Sequence, residues 1–172
     1  MATPTDWSHG YARQADADFK MFQMLGSPEL EAFAVVDCHK LLFLQMACEK
    51  LAKAHLCAGG TDPAALQRSH AYIAGTLPVI LRHTAVLLNY KSKQANWVLE
   101  HAKHLAQEIE CLAPAVKRGG QRRDNCEYPW ADDQDNLHIP LNWSFVPSKL
   151  LTLPAGRTVL KLIRVAIDRL LP

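Results

Sequence analysis

The sequence predicts an all-α protein, an up-and-down bundle of about five helices with one long loop before the last helix. The first observation is the stretch from Leu41 to Leu56, where apolar side chains recur at steps of three and four and widen beyond a narrow stripe. The second is the near absence of alternating β patterns, apart from a weak candidate over residues 137–145. The third is the placement of Gly and Pro, which divides the chain into segments of helical length. A helix as apolar as the central one belongs in the middle of a bundle or in a subunit interface.

The first three predicted helices are bounded by local start and stop signals. Helix 1 begins near residue 5 or 6 and ends at Leu25, where Gly26 suits the C-terminal cap. Ser27-Pro28 then opens a second helix, as N-cap and first-turn proline, and this helix continues to about Cys57. Thr61-Asp62-Pro63 repeats the start signal for a third, shorter helix.

The second half of the chain contains two further helical patterns, a loop and a last helix. Thr76-Leu77-Pro78 predicts a break, after which residues 79–90 are helical again. The spacing predicts another helix over residues 92–111, which Pro114 ends. Residues 113–147 form the predicted long loop, because prolines and a Gly-Gly pair interrupt every pattern there. Apolar residues at helical spacing close the chain as a helix over residues 158–171.

Composition and charge limit the class of protein. A chain of 172 residues with 49% apolar and 21% charged residues fits one soluble domain spanning residues 1–172. No apolar run approaches the roughly 20 residues of a membrane helix, and the first residues lack a signal-peptide pattern, so a cytoplasmic protein without membrane contact is expected. The five cysteines form no CxxC pair, which favours reduced thiols. A net charge of +2 does not by itself imply nucleic-acid binding.

Basic side chains are the strongest candidates for a binding function. In the central helix, Glu49 and Lys53 have the i,i+4 spacing of an exposed ion pair, and Lys50 lies beside them. Two further basic groups lie in the loop and on the last helix: Lys117, Arg118, Arg122 and Arg123, and then Arg157, Lys161 and Arg164. If the loop folds over the last helix, these cations can hold phosphates. The acidic residues that follow in the loop can equally neutralise them: Asp124, Glu127, Asp132, Asp133 and Asp135.

Two other groups of side chains leave alternatives open. The loop aromatics around Tyr128 and Trp143 can stack on bases, but packing against the bundle explains them equally well and is the favoured interpretation. One stripe of the helix over residues 92–111 could ligate a metal if neighbouring helices completed the shell: His101, His104, Glu108 and Cys111. We interpret that stripe as the half-exposed flank of a surface helix and predict neither a metal nor another cofactor.

The central helix resembles the HEPN superfamily, the higher eukaryote and prokaryote nucleotide-binding domains. The family pattern Leu-Gln-x-x-x-Glu-Lys-x-x-Lys-Ala is matched at Leu44, Gln45, Glu49, Lys50, Lys53 and Ala54. The first helix is similar to the leading helix of the family, and His70 with Ile73 occupies the place after the second helix where members often have a histidine. Residues 125–129, Asn-Cys-Glu-Tyr-Pro, resemble the aromatic-proline element that many minimal members carry before the last helix.

The resemblance implies a four- to five-helix bundle that is usually a homodimer. Family members include metal-independent RNase toxins, often paired with a nucleotidyltransferase antitoxin, and modules that bind nucleotides, RNA or proteins without catalysis. The RNases use an arginine followed, after four to six residues, by a histidine. No arginine of this chain precedes a histidine at that spacing.

Two functions are therefore expected from the sequence. The first is a dimeric HEPN-like module that binds a nucleotide, RNA or a partner protein, such as a nucleotidyltransferase, through its basic residues: Lys50, Lys53, Arg118, Arg157, Lys161 and Arg164. The second is a noncanonical metal-independent RNase. In that enzyme Arg122 or Arg123 would hold the scissile phosphate and His138 would act as general acid/base, since imidazole exchanges protons near neutral pH.

Overall fold

Helices make up most of the structure, a computed structural model that describes residues 2–31, 36–116 and 124–172. The all-α prediction is confirmed at this level. The helices in these ranges are α1 (Pro4–Leu25), α2 (Pro28–Glu31), α3 (Asp37–Ala58), α4 (Pro63–Leu66), α5 (Ile73–Leu87), α6 (Ser92–Glu110), α7 (Val146–Thr152) and α8 (Pro154–Asp168). A two-stranded antiparallel hairpin, β1 (Trp130–Ala131) with β2 (Leu137–His138), and one turn of 3-10 helix at Pro140–Asn142 precede α7.

Side-chain caps explain where the first and fourth helices begin. Thr3 and Asp6 form a capping box in which Thr3 Oγ1 accepts from the Asp6 N–H and Asp6 Oδ2 accepts from the Thr3 N–H. The carboxylate of Asp62 caps α4 by accepting from the Ala64 N–H at 3.0 Å. The predicted end of α1 at Leu25 and the start signal at 61–63 are both confirmed.

The core lies between α1 and α3, with α5, α6 and α8 packed around them. Helices α1 and α3 run antiparallel, since Ser8 near the start of α1 contacts Ala54 near the end of α3. The central helix α3 is buried as its apolar pattern predicts, and its fully enclosed residues include Leu41, Leu44, Cys48 and Leu51. None of the helices in the described ranges is long and apolar enough to cross a membrane.

Two predicted boundaries in the first half of the chain are wrong. The second helix is not continuous from Pro28 to Cys57, because Val36 has an extended backbone (φ −78°, ψ 148°) and α3 begins only at Asp37. The predicted break at Pro78 is absent, since α5 continues through this proline. Proline costs one backbone hydrogen bond there, but the helix buries Leu77 and Leu81 on the same stripe. Burial of that stripe outweighs the lost bond.

The second half of the chain contains regular secondary structure where the sequence predicts a loop. The hairpin lies within residues 113–147, the predicted loop, and the weak β candidate over residues 137–145 contributes only the strand at Leu137–His138. Helix α8 begins at Pro154, four residues before the predicted start, and follows α7 after one extended residue. The two helices approach so closely that a Cβ atom on Gly156 would overlap the backbone of Leu150.

Candidate functional site

The hairpin is held together by the side chain of Asp132. Its Oδ1 atom accepts from the backbone N–H groups of Gln134 and Asn136, both at 2.9 Å. Asp135 has the left-handed conformation (φ 60°) that closes the turn. The resulting register pairs Trp130 with His138 across the strands. A short acidic sequence therefore forms a defined turn and places an imidazole beside an indole.

His138 is oriented by a carboxylate and enclosed by two tryptophans. Its Nε2 atom lies 3.0 Å from Asp132 Oδ2. Its ring centroid is 4.9 Å from that of Trp143 and 5.8 Å from that of Trp130. Hydrogen bonds from His138 and Asn136 hold the pKa of Asp132 well below its ordinary value, so the carboxylate is ionised at neutral pH. An ionised carboxylate only accepts, so Nε2 donates and, in the neutral ring, Nδ1 keeps a lone pair.

The aromatic groups around His138 form a partly exposed surface. Trp130 and Trp143 meet edge to face at 5.3 Å and are both half-buried. The Trp143 indole N–H donates to Asp124 Oδ2 at 3.3 Å, which fixes the ring. Tyr128 is 60% exposed on the same segment. We call Tyr128, Trp130, His138 and Trp143 the aromatic surface. Such rings can stack on planar ligands, and the imidazole can exchange a proton.

The basic residues predicted for the loop cannot be placed relative to this surface. Arg118, Arg122 and Arg123 lie outside the described residues, as does Lys117. The predicted catalytic combination of Arg122 or Arg123 with His138 therefore stays a prediction.

Lys50 and Lys53 of α3 already hold carboxylates. Lys50 Nζ lies 2.6 Å from Asp18 Oδ2 of α1. Lys53 Nζ lies 2.6 Å from Glu49 Oε1, and both residues of this second pair are buried, so the predicted exposed ion pair is wrong. The His70 imidazole reaches Glu49 Oε2 at 3.0 Å from the residues before α5. Both predicted phosphate ligands thus have internal counter-charges.

The Glu49 carboxylate is the centre of a buried polar cluster. Besides Lys53 and His70, Gln45 donates to it from the preceding turn of α3 at 3.1 Å. Burial by itself raises the pKa of Glu49, but the hydrogen bonds from Lys53 and His70, together with the positive charge of Lys53, outweigh burial and lower it. The carboxylate therefore stays ionised inside the bundle.

Of the three basic residues predicted on the last helix, Lys161 and Arg164 line the same cavity and Arg157 does not. Arg157 donates through Nη1 to the Thr152 carbonyl at 2.6 Å. Lys161 is exposed, beside a shallow cavity of about 330 Å³ between α1 and α8. Arg164 bridges two carboxylates, Asp16 of α1 at 2.6 Å and Asp168 one turn along α8. Since Asp16 and Asp18 lie on different sides of α1, Arg164 and Lys50 are not brought together.

The histidine stripe of α6 lies on a partly exposed side of that helix. The His101 Nε2 atom lies 3.1 Å from the Leu150 carbonyl of α7, which it joins by a hydrogen bond. His104 lies 3.8 Å from Glu108 across one turn. Among the residues that the structure describes, no group of three or more His, Cys, Asp or Glu side chains is arranged to hold a metal.

The sequence singles out His138 but not the carboxylate that orients it. Its pattern places Asp132 only among the acidic residues that could neutralise loop cations, whereas in the structure Asp132 bonds the turn and the imidazole. The signal that could have found it is the Asp-Asp-Gln-Asp-Asn sequence, whose residue types are typical of a hairpin turn between Trp130 and His138. A comparison of the chain with protein-family models, curated proteins and solved structures finds no match.

Proposed function

We propose that the protein is an HEPN-like helical module that binds single-stranded RNA or a nucleotide, and that the aromatic surface is its contact site. The observation that carries the proposal is the arrangement of two half-buried indoles around the His138 imidazole, with Tyr128 exposed two residues before Trp130 in the chain. Base–aromatic stacking requires such accessible rings and tolerates different bases. The motif at residues 44–54 supports membership of the HEPN superfamily. The proposal therefore includes the up-and-down bundle of that superfamily.

The electrostatic part of binding is assigned to the residues that precede the aromatic surface in the chain. Lys117, Arg118, Arg122 and Arg123 supply four positive charges within seven residues. For binding to a single strand, the slope of log K against log salt concentration is about −0.7 for each phosphate contact. Losing one contact therefore makes that slope shallower by about 0.7. Lys50 and Lys53 contribute less to this proposal because their ammonium groups already bind carboxylates.

Fluorescence anisotropy with a labelled single-stranded RNA tests the proposal. Trp130→Leu removes a stacking ring, and we expect the Kd to rise at least fivefold, since stacking contributes about 1–3 kcal/mol per base. Trp97→Leu is the matched control, because Trp97 is 53% exposed on α6, far along the chain from the hairpin. Equal Kd values for wild type and Trp130→Leu, or equal losses in both variants, would refute an RNA-binding aromatic surface.

The same resemblance leads to a proposal about the oligomeric state and the partner protein. HEPN proteins are usually homodimers and often pair with a nucleotidyltransferase. We therefore propose a homodimer with a nucleotidyltransferase as a possible second partner. Sedimentation equilibrium of the purified chain, with and without the RNA, distinguishes a dimer from a monomer that dimerises only on the ligand; a monomer under both conditions contradicts the homodimer.

One contact favours a catalytic alternative, a metal-independent RNase. The Asp132–His138 hydrogen bond fixes the imidazole with Nδ1 as acceptor. In this proposal Nδ1 takes the proton of a ribose 2′-hydroxyl, the 2′-oxygen bonds to phosphorus, and the bond from phosphorus to the 5′-oxygen breaks as that oxygen takes a proton from water. Arg122 or Arg123 would balance the charge on the phosphate.

One RNA assay with EDTA present distinguishes RNA binding from metal-independent RNA cleavage. If the protein is an RNase, His138→Asn lowers the cleavage rate of bound RNA by about 10²–10⁴-fold, far more than it raises the Kd for uncleaved RNA. Asp132→Asn tests the orienting partner in the same way. Absence of cleavage by the wild-type protein, with RNA binding intact, rejects the enzyme and leaves the binding module.

A further inference from the structure

A second cavity of about 500 Å³ lies at the opposite end of the bundle from the hairpin, between α3, α5 and α8. The segment that follows the hairpin meets the start of α3, where Ser144 lines one pocket together with Asp37 and Lys40. His55, in the last turn of α3, lines the cavity. Since a helix rises 1.5 Å per residue, the two places are about 25 Å apart along α3. The cavity is therefore separate from the aromatic surface.

One wall of the cavity is basic. The His55 and His83 rings face one another with centroids 6.3 Å apart and planes inclined at 56°. Arg169, just after the end of α8, completes this wall. Burial and the neighbouring His83 both lower the pKa of His55. Of the described residues that line the cavity, none is acidic.

The remaining walls are apolar. Ile80 of α5 and Leu170 after α8 line the interior, with Ile80 only 5% exposed. Leu87 lies at the rim and is 53% exposed. The leucine therefore presents an apolar surface beside the positive Arg169 guanidinium, while the His55 imidazole, neutral at pH 7 because its pKa is lowered, offers a ring N–H as a donor. A cavity of this volume is within the range that small ligands occupy.

We propose that this cavity binds an amphipathic carboxylate, with the carboxylate on Arg169, His55 and His83 and the hydrocarbon part along Ile80, Leu87 and Leu170. A planar carboxylate matches the guanidinium, which can donate two parallel hydrogen bonds to it. Ordinary inorganic anions satisfy the basic wall but leave the apolar walls in water. An uncharged hydrocarbon fills the apolar walls and leaves the basic wall without a counter-ion. This site is independent of the RNA-binding proposal.

Isothermal titration calorimetry with sodium octanoate tests the site on the whole chain, with two comparison ligands. Acetate has the same head group without the chain, and octylammonium has the same chain with the opposite charge. We expect saturable octanoate binding at one site, and binding of both comparison ligands at least tenfold weaker. No octanoate binding, or octylammonium binding as tight as octanoate, overturns the proposal.

Three variants test where octanoate binds. Arg169→Gln removes the guanidinium and is expected to weaken octanoate binding at least tenfold. Arg82→Gln is the matched control, because Arg82 is exposed on α5 beside His83 but does not line the cavity. His83→Gln supplies a second test of the basic wall, with an expected loss of at least threefold. Equal affinities of wild type and Arg169→Gln, or equal losses in the Arg169 and Arg82 variants, also overturn the proposal.

Discussion

Replacing Lys53 of α3 by methionine should destabilise the fold strongly, because it breaks a buried ion pair. The Lys53 ammonium is 2.6 Å from Glu49 Oε1, and Lys53 is only 6% exposed. At an effective dielectric constant of 20, the attraction over that distance is about 6 kcal/mol before desolvation is subtracted. Breaking a buried pair from one side typically costs about 3–5 kcal/mol. Because His70 still reaches Glu49, we expect a loss near the lower end, about 3 kcal/mol.

The matching double variant should recover much of that loss. Glu49→Gln removes the charge that Lys53→Met leaves unpaired, while the amide still bonds with Gln45 and His70. We therefore expect Glu49→Gln/Lys53→Met to be more stable than Lys53→Met alone, with a coupling free energy of about 2 kcal/mol. Urea unfolding followed by circular dichroism at pH 7 measures all four proteins. With a slope of about 2 kcal/mol per molar urea, a loss of 3 kcal/mol moves the midpoint by about 1.5 M.

An exposed ion pair of equal length is the control for burial. Lys103 Nζ of α6 lies 2.6 Å from Glu100 Oε1, but the two side chains are 48% and 72% exposed. Lys103→Met should cost less than about 0.5 kcal/mol, since exposed pairs contribute little. Equal losses at Lys53 and Lys103, or additive effects in the Glu49/Lys53 cycle, would refute the assignment of a stabilising buried pair.

The same cluster predicts a pH dependence of stability. The folded-state pKa of Glu49 is lowered from its ordinary value of 4.5, so the carboxylate stabilises the fold fully above that pH. This contribution is lost as the pH falls through the folded-state pKa, because protonation of the carboxylate then costs the native state its ion pairs. We expect the stability difference between wild type and Glu49→Gln to shrink between pH 7 and pH 3. An unchanged difference over that range contradicts an ionised Glu49 in the native state.

Three further predictions concern packing and polar contacts, and each can be measured by thermal or urea unfolding. Gly156→Ala should lower the free energy of unfolding by about 3 kcal/mol, because its Cβ atom would overlap the backbone at the end of α7. Gly10→Ala has open space around it in α1 and should raise that free energy by about 0.5–1 kcal/mol. A similar effect of both changes would contradict the close approach of α7 and α8. Ser8→Ala removes a buried hydroxyl that donates to a carbonyl of α3 at 2.9 Å, and should cost about 1 kcal/mol. Arg164→Gln leaves the half-buried carboxylate of Asp16 with one cation fewer and should cost about 1–2 kcal/mol, and no loss at low salt would contradict that bridge.

Local signals predicted the helices whose ends are decided locally. Gly26 after α1 and Asp62 before α4 act on neighbouring backbone groups, so their effect can be predicted from a few residues. The inner stripe of α6 through Val98 and Leu105 is equally local, since burial follows the helical period. The positions of these elements can therefore be predicted without knowing which helices pack against them.

The misplaced boundaries depend on contacts between distant parts of the chain. Helix α5 begins at Ile73, ahead of Pro78, and its first turn is capped from a distant element: the buried Glu110 carboxylate at the end of α6 accepts from the Ala74 N–H at 2.8 Å. No pattern around Pro78 encodes that bond, which joins residues 36 positions apart. The orientation of His138 is similar, since it depends on the strand register that Asp132 establishes.

The burial of Glu49 and Lys53 connects the sequence pattern of α3 to the architecture. Spacing alone predicts that the two side chains meet, but whether they meet in water depends on what covers them. Here α1 and the residues before α5 cover them, and His70 closes the cluster. A shift of α1 by one turn along α3 would separate Asp18 from Lys50 and leave charges unpaired, which is costly inside a protein. The ion pair of Lys50 with Asp18 therefore restricts how α1 packs on α3, whereas Glu49 and Lys53 neutralise one another inside the bundle.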